Sequence, residues 1–151
     1  TGLYPGAERL RAFAESHGIP VLPLCARLEL EISRLEPEER AFFLADLNVN
    51  ESGIDRLARA AYGILGLISF FTVGEDEVKA WTIEAGTNAK RAAGKIHSDM
   101  EKGFIRAEVV KFEDLERLGS MAKVRERGLF RLEGKEYIVQ DGDIITFRFN
   151  V

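Results

Sequence analysis

Leu67-Ile68-Ser69-Phe70-Phe71-Thr72-Val73, then Gly74-Glu75-Asp76, then Val78-Lys79-Ala80-Trp81-Thr82-Ile83 is the stretch that decides the fold of this chain. The first run is β-branched and aromatic, the composition of a strand. Gly-Glu-Asp reads as a turn and the second run as the returning strand. Ala89, Ala92, Ala93, Ile96, His97 and Met100 then recur at helical spacing and predict one continuous helix. Phe104 to Val110 reads as a third strand, and Phe112 to Arg127 as a short helix and a loop. Leu129 to Leu132 and Tyr137 to Val139 flank Glu133-Gly134-Lys135 and predict a hairpin. Asp141-Gly142 turns the chain into a last strand, Ile144 to Val151, with Ile145, Phe147 and Phe149 on one side and Thr146 and Arg148 on the other. Strand, strand, helix, strand, hairpin is an α+β order with one helix across a mixed sheet. The β-grasp, or ubiquitin-like, arrangement is the small fold that fits it best.

Working back toward the start, Gly66 closes a helix that carries Ile54, Leu57, Ala58, Ala61, Tyr62 and Leu65 on one face. Ser52 and Asp55 form its expected capping box. Pro37 opens an earlier helix running to about Leu47. Ala7 to His17 reads as a helix closed by Gly18, and Ile19 to Cys25 as a buried parallel strand whose two prolines need an unpaired edge. The expected domains are therefore 1–66 and 67–151.

The 151 residues are 46% hydrophobic and 30% charged, a globular composition, with a net charge of −4. That balance argues against a general nucleic-acid coat but leaves room for a local basic patch. No apolar run approaches the roughly 20 residues of a membrane span, and Thr1-Gly2-Leu3-Tyr4-Pro5 lacks the form of a signal peptide. The chain does not begin with methionine and reads as a fragment or processed product. Cys25 is the single cysteine, so no internal disulfide forms, as suits a cytoplasmic protein. His17 and His97 are the only histidines, which makes a zinc site improbable. His97 is expected at the edge of the core on the helix stripe. No nucleophile–base or carboxylate pair stands out as an independent catalytic site.

Three stretches resemble the YchF family of Obg-like ATPases: Cys25-Ala26-Arg27-Leu28-Glu29; Glu51-Ser52-Gly53-Ile54-Asp55-Arg56-Leu57 running into Leu67-Ile68-Ser69-Phe70-Phe71-Thr72; and a third set downstream. That set comprises Lys79 to Ile83, Gly86-Thr87, Ala92 to Asp99, Gly103 to Val109 and Val139 to Asp143, and is similar to the TGS domain of this family. The resemblance implies that residues 1–66 are the closing strand and helices of a P-loop nucleotide-binding domain. It implies a parent that binds and hydrolyses ATP, with weaker preference for GTP, needs magnesium and associates with the ribosome through large-subunit RNA or protein. DNA and membranes are not among the implied partners. Backbone amides of Cys25, Ala26 and Arg27 would contact the nucleotide base.

The phosphate-cradling motif is absent: Gly94-Lys95 is followed by Ile96 and Gly134-Lys135 by Glu136, where a Ser or Thr is required. Asn48-Val49-Asn50-Glu51 has the form of the family's base-reading motif but lies after the Cys25 loop instead of before it, so it reads as helix caps. Lys90, Arg91 and Lys95 on the outer side of the downstream helix are the expected RNA-docking residues, with exposed amides after Gly86-Thr87 to help them hold phosphate. Lys123, Arg125, Arg127, Arg131 and Lys135 form a second basic stretch. The alternative from another class is a ubiquitin-like protein-interaction module without RNA binding.

Overall fold

A computed structural model describes residues 6–47, 49, 51–74 and 77–150. The chain divides into two compact units, Thr1–Ile64 and Leu65–Val151. The Asn48-Val49-Asn50-Glu51 caps and the Gly74-Glu75-Asp76 turn each include residues outside the described set.

The first unit is helical: α1 (Ala7–Ser16), α2 (Ala26–Ser33), α3 (Pro37–Asp46) and α4 (Gly53–Ile64). Gly18 takes the left-handed conformation after α1 (φ 63°), and the Ile19 amide donates back to the Ala14 carbonyl at 2.8 Å. The capping box before α4 is present. Ser52 Oγ accepts from the Asp55 amide at 3.3 Å and donates to Asp55 Oδ2 at 2.6 Å. The strand expected over Ile19–Cys25 does not form. A parallel strand needs a hydrogen-bonded neighbour; the first unit has none among the described residues, and Ile19, Val21 and Leu24 are exposed. Ile54, Leu57 and Tyr62 on α4 are exposed as well, so its apolar stripe is not buried within the unit.

The second unit carries the fold that the strand pattern predicts. β1 (Leu67–Val73) pairs antiparallel with β2 (Val78–Glu84), Phe70 opposite Trp81. β3 (Phe104–Lys111) pairs with β4 (Arg131–Glu133) and with β5 (Asp143–Phe149). β5 lies parallel to β1, giving the mixed order β2-β1-β5-β3-β4 of a β-grasp sheet. One face is covered by α5 (Ala89–Ile96), whose Ala89, Ala92 and Ala93 are wholly buried against Phe70, Val109, Ile145 and Phe147. Three small side chains let the helix lie close to the sheet, and Phe70 and Phe147 meet edge to face at 5.9 Å. The other face is covered at one end by α7 (Phe112–Leu118) and α8 (Met121–Glu126), which enclose Val110, Ile144 and Val124.

Three local expectations need correction. The helix over 89–100 breaks at His97, which is extended (φ −158°, ψ 140°) and caps α6 (Ser98–Lys102), its Nδ1 accepting from the Asp99 amide at 3.2 Å. Its exposed imidazole is off the core stripe, whereas Ile96 and Met100 pack against the core. Residues 112–127 hold two helices, separated by Gly119 at φ 75°. Tyr137 to Val139 do not pair with β4. They bridge to Asn88 at the start of α5, so β4 is an edge strand and not half of a hairpin.

The second unit has its own core on both faces of its sheet and is within the size range of autonomous domains. Residues 65–151 alone are expected to unfold in one cooperative transition and residues 1–64 alone to show none. Thermal denaturation followed by circular dichroism tests this, and the reverse result contradicts it.

Candidate nucleotide-base loop and anion-binding face

Cys25 is the N-cap of α2, with extended backbone (φ −102°, ψ 97°), and Ala26 is the first helical residue. Cys25, Ala26 and Arg27 are all exposed. Arg27 pairs with Glu31 one turn on at 3.4 Å, a solvent-exposed pair that contributes little. What fixes the loop is Glu29. Its Oε2 accepts the Gly53 amide at 2.8 Å, and its Oε1 lies 3.8 Å from Arg56 Nη2. A carboxylate at the start of α4 is favoured by the free amides and dipole there. A Cβ on Gly53 would meet the Glu29 carboxylate and the Leu24 side chain, so a larger residue there would have to displace the ends of these two side chains. Two stretches far apart in sequence, Cys25–Glu29 and Glu51–Leu57, thus meet at one junction. Beside it lies an open apolar cavity of about 550 Å³ lined by Leu24, Ala26, Leu30, Ile54 and Leu57 among others.

Cys25, Ala26 and Arg27 stand together at the exposed start of α2. Among the described residues no group of three or more His, Cys, Asp or Glu is placed to hold a metal ion.

In the second unit the three anticipated cations stand together. The exposed residues of α5 are Lys90, Arg91 and Lys95, and no other. The free amides expected beside them are a different matter. Ala89 N–H donates to the Tyr137 carbonyl at 2.8 Å, Lys90 N–H to the Lys135 carbonyl at 3.4 Å and Arg91 N–H to Asn88 Oδ1 at 3.0 Å. The end of α5 is already satisfied from within the protein, so side chains alone can offer charge there.

Sequence reasoning missed the group that holds this arrangement. Asp143 is completely buried at the start of β5. Its Oδ2 accepts from the Tyr137 hydroxyl at 2.7 Å and the Gln140 amide at 2.9 Å. Its Oδ1 has no hydrogen bond but is ion-paired with Lys111 Nζ at 2.8 Å. Arg131 Nη2 donates to the Tyr137 oxygen at 3.0 Å. Burial opposes the Arg131 charge, yet that bond and the charges of Tyr137, Glu133 and Asp143 outweigh it and raise its pKa. Burial first, and then the bond to Asp143, push the Tyr137 phenol above its usual 10.0. Asp141-Gly142-Asp143 signalled only a turn; nothing in the residue types tells which aspartate goes inside.

A helical unit in which Glu29 ties α2 to the start of α4, and a second unit with a β-grasp sheet and a cationic helix, define a two-unit chain with a β-grasp module. The YchF-GTPase_C family model, described as "Protein of unknown function (DUF933)", matches residues 67–150. The chain is 53% identical over 95% of its length to the Bacillus subtilis ribosome-binding ATPase YchF and 50% identical over 97% to that of Haemophilus ducreyi. It covers 39% and 40% of those relatives. The YchF GTPase structure from Schizosaccharomyces pombe superposes with a TM-score of 0.81 at 32% identity, covering 95% of this chain and 38% of that one. A GTP-binding protein from Pyrococcus horikoshii, at 21% identity and a TM-score of 0.63, shares the fold over 95% of this chain and 41% of its own. This chain belongs to the YchF family.

The raised Tyr137 pKa means the folded state holds the phenolic proton more tightly than the unfolded state does. The resulting stability is present below pH 10 and is lost as pH rises through the folded-state value. Tyr137→Phe is therefore expected to lose less stability than wild type on going from about pH 8 to about pH 11. Urea unfolding midpoints across that range test it, and parallel curves contradict it.

Proposed function

We propose that this chain is the C-terminal portion of a cytoplasmic, ribosome-associated YchF-type protein that binds and hydrolyses ATP or GTP with magnesium. The chain spans about two fifths of the length of the curated relatives it matches, and those relatives are named ribosome-binding ATPases. In this reading residues 1–66 end a P-loop nucleotide-binding domain, with Cys25, Ala26 and Arg27 contacting the base. Residues 67–151 form the TGS domain, which docks on the ribosome, on large-subunit RNA or protein. The single observation that carries the docking role is the α5 surface, whose exposed residues are all cations in a chain of net charge −4.

Two outcomes are expected. The purified chain shows no magnesium-dependent ATP or GTP turnover above a buffer blank, because positioned phosphate ligands supply nearly all of that catalysis. Changing Lys90, Arg91 and Lys95 together to Ala weakens cosedimentation with ribosomes and flattens its salt dependence, with little loss of folding by circular dichroism. Clear turnover contradicts the first expectation; equal binding with equal salt slopes removes α5 from the docking surface.

A further inference from the structure

The two basic stretches of the second unit divide differently in space than along the chain. Val124 of α8 packs with Phe71, Val110 and Ile144, whereas α5 packs with Phe70, Val109 and Ile145. Phe70 and Phe71, Val109 and Val110, and Ile144 and Ile145 are neighbours along their strands and so point to opposite faces of the sheet. Lys123 and Arg125, on α8, are therefore across the sheet from Lys90, Arg91 and Lys95. Lys135 is not. The Lys90 amide donates to its carbonyl at 3.4 Å, between the stronger bonds Ala89 N–H to Tyr137 O at 2.8 Å and Val139 N–H to Thr87 O at 3.1 Å. The second basic stretch is split, and its last member belongs with the first.

We propose that Lys135 joins Lys90, Arg91 and Lys95 in one anion-binding face whose ligand is the phosphate backbone of RNA, gripped by side chains without recognition of bases. The proposal rests on the reading of this unit as a ribosome-docking module and names the fourth residue and the chemistry of contact. All four side chains are exposed, and among the described residues none is in an ion pair. Several other cations of the unit are committed, Lys102 to Asp99, Lys111 to Asp143, Arg131 to Glu133 and Arg148 to Glu108, whereas Lys123, Arg125 and Arg127 are also in no ion pair among the described residues but lie on or next to α8 and not on α5. The Glu101 carboxylate folds over Gly94 of α5 without reaching ion-pair distance of any of the four, and Glu136, beside Lys135 in the chain, forms no pair with it. An unpaired cation offers its whole charge to an outside anion and releases counterions when it binds one. Base recognition needs stacking surfaces or paired donors and acceptors. Tyr137, the aromatic residue of this loop, is half-buried with its hydroxyl committed to Asp143, and the α5 amides are occupied. Phosphate contacts of this kind carry no sequence information.

The test uses the 151-residue chain and fluorescence anisotropy with two short RNAs of unrelated sequence across a salt series. Lys135→Ala and Lys90→Ala are each expected to weaken binding to both RNAs equally. Each should lower the slope of log affinity against log salt by about 0.7 to 0.9, one phosphate contact. Lys123→Ala, across the sheet, should change neither. If Lys90→Ala weakens binding and Lys135→Ala does not, the four-cation face is wrong and docking through α5 survives. If the two RNAs lose unequally, bases are being read and the backbone-only grip is wrong. If wild type binds neither RNA, or binds polyglutamate equally well, the RNA-docking reading itself fails in favour of a protein partner.

Discussion

The buried carboxylate of Asp143 is the constraint on which the second unit depends. A charge without solvent must be compensated in place, and breaking such a pair costs about 3–5 kcal/mol. Lys111 at the end of β3, the hydroxyl of Tyr137 and the amide of Gln140 supply the compensation. Meeting that demand draws the 137–140 segment across the start of β5. Once there, the Tyr137 carbonyl receives the Ala89 amide; with Lys135 O taking the Lys90 amide and Asn88 Oδ1 the Arg91 amide, the first three amides of α5 are all satisfied. The neighbouring aspartate completes the hold from the other side: Asp141 Oδ1 accepts the Ser69 amide at 2.8 Å, and the Gly142 amide donates to the Ser69 carbonyl at 2.8 Å. One buried acid and one turn acid thus tie the last loop to α5, β1, β3 and β5.

The contents of the sheet were legible because β-branched and aromatic runs separated by glycine turns admit few readings. The break at His97 was not, because Ile96 and Met100 keep helical spacing across it and the break is a matter of one residue's backbone. The Tyr137–Val139 segment has strand composition, and composition does not name a partner; the segment's bonds go to a helix start and not to β4. In the first unit the apolar run Ile19–Cys25 also has strand composition. A strand exists only through a neighbour, and none is present among the described residues. Of the candidate sites, the cations of α5 could be read from helical spacing. The Glu29–Gly53 contact joins residues twenty-four positions apart, and the Lys90–Lys135 contact joins residues still further apart. Such meetings are set by topology, which spacing does not encode.

The two units differ in what they expose. In the first unit the start of α2 is held by Glu29 against the start of α4. The second offers exposed, unpaired charge on a helix whose opposite side is nearly all alanine, so the cationic face is carried on a rigid base. A flexible lysine on a mobile loop would spend entropy on binding. Here the Lys135 backbone is fixed through the Tyr137–Asp143 bond.

That last link is the central claim, and native-state hydrogen exchange of the Tyr137→Phe variant tests it most directly. Removing one hydroxyl keeps the aromatic ring but takes away the Tyr137 bonds to Asp143 and Arg131, leaving the Gln140 amide as the loop's bond to Asp143. The account predicts that the Ala89, Lys90 and Val139 amides exchange markedly faster in the variant while amides in the centre of β1 and β5 keep their protection. Unchanged protection at Ala89, Lys90 and Val139 would contradict it, and would mean that the loop is held on α5 by its main-chain bonds alone.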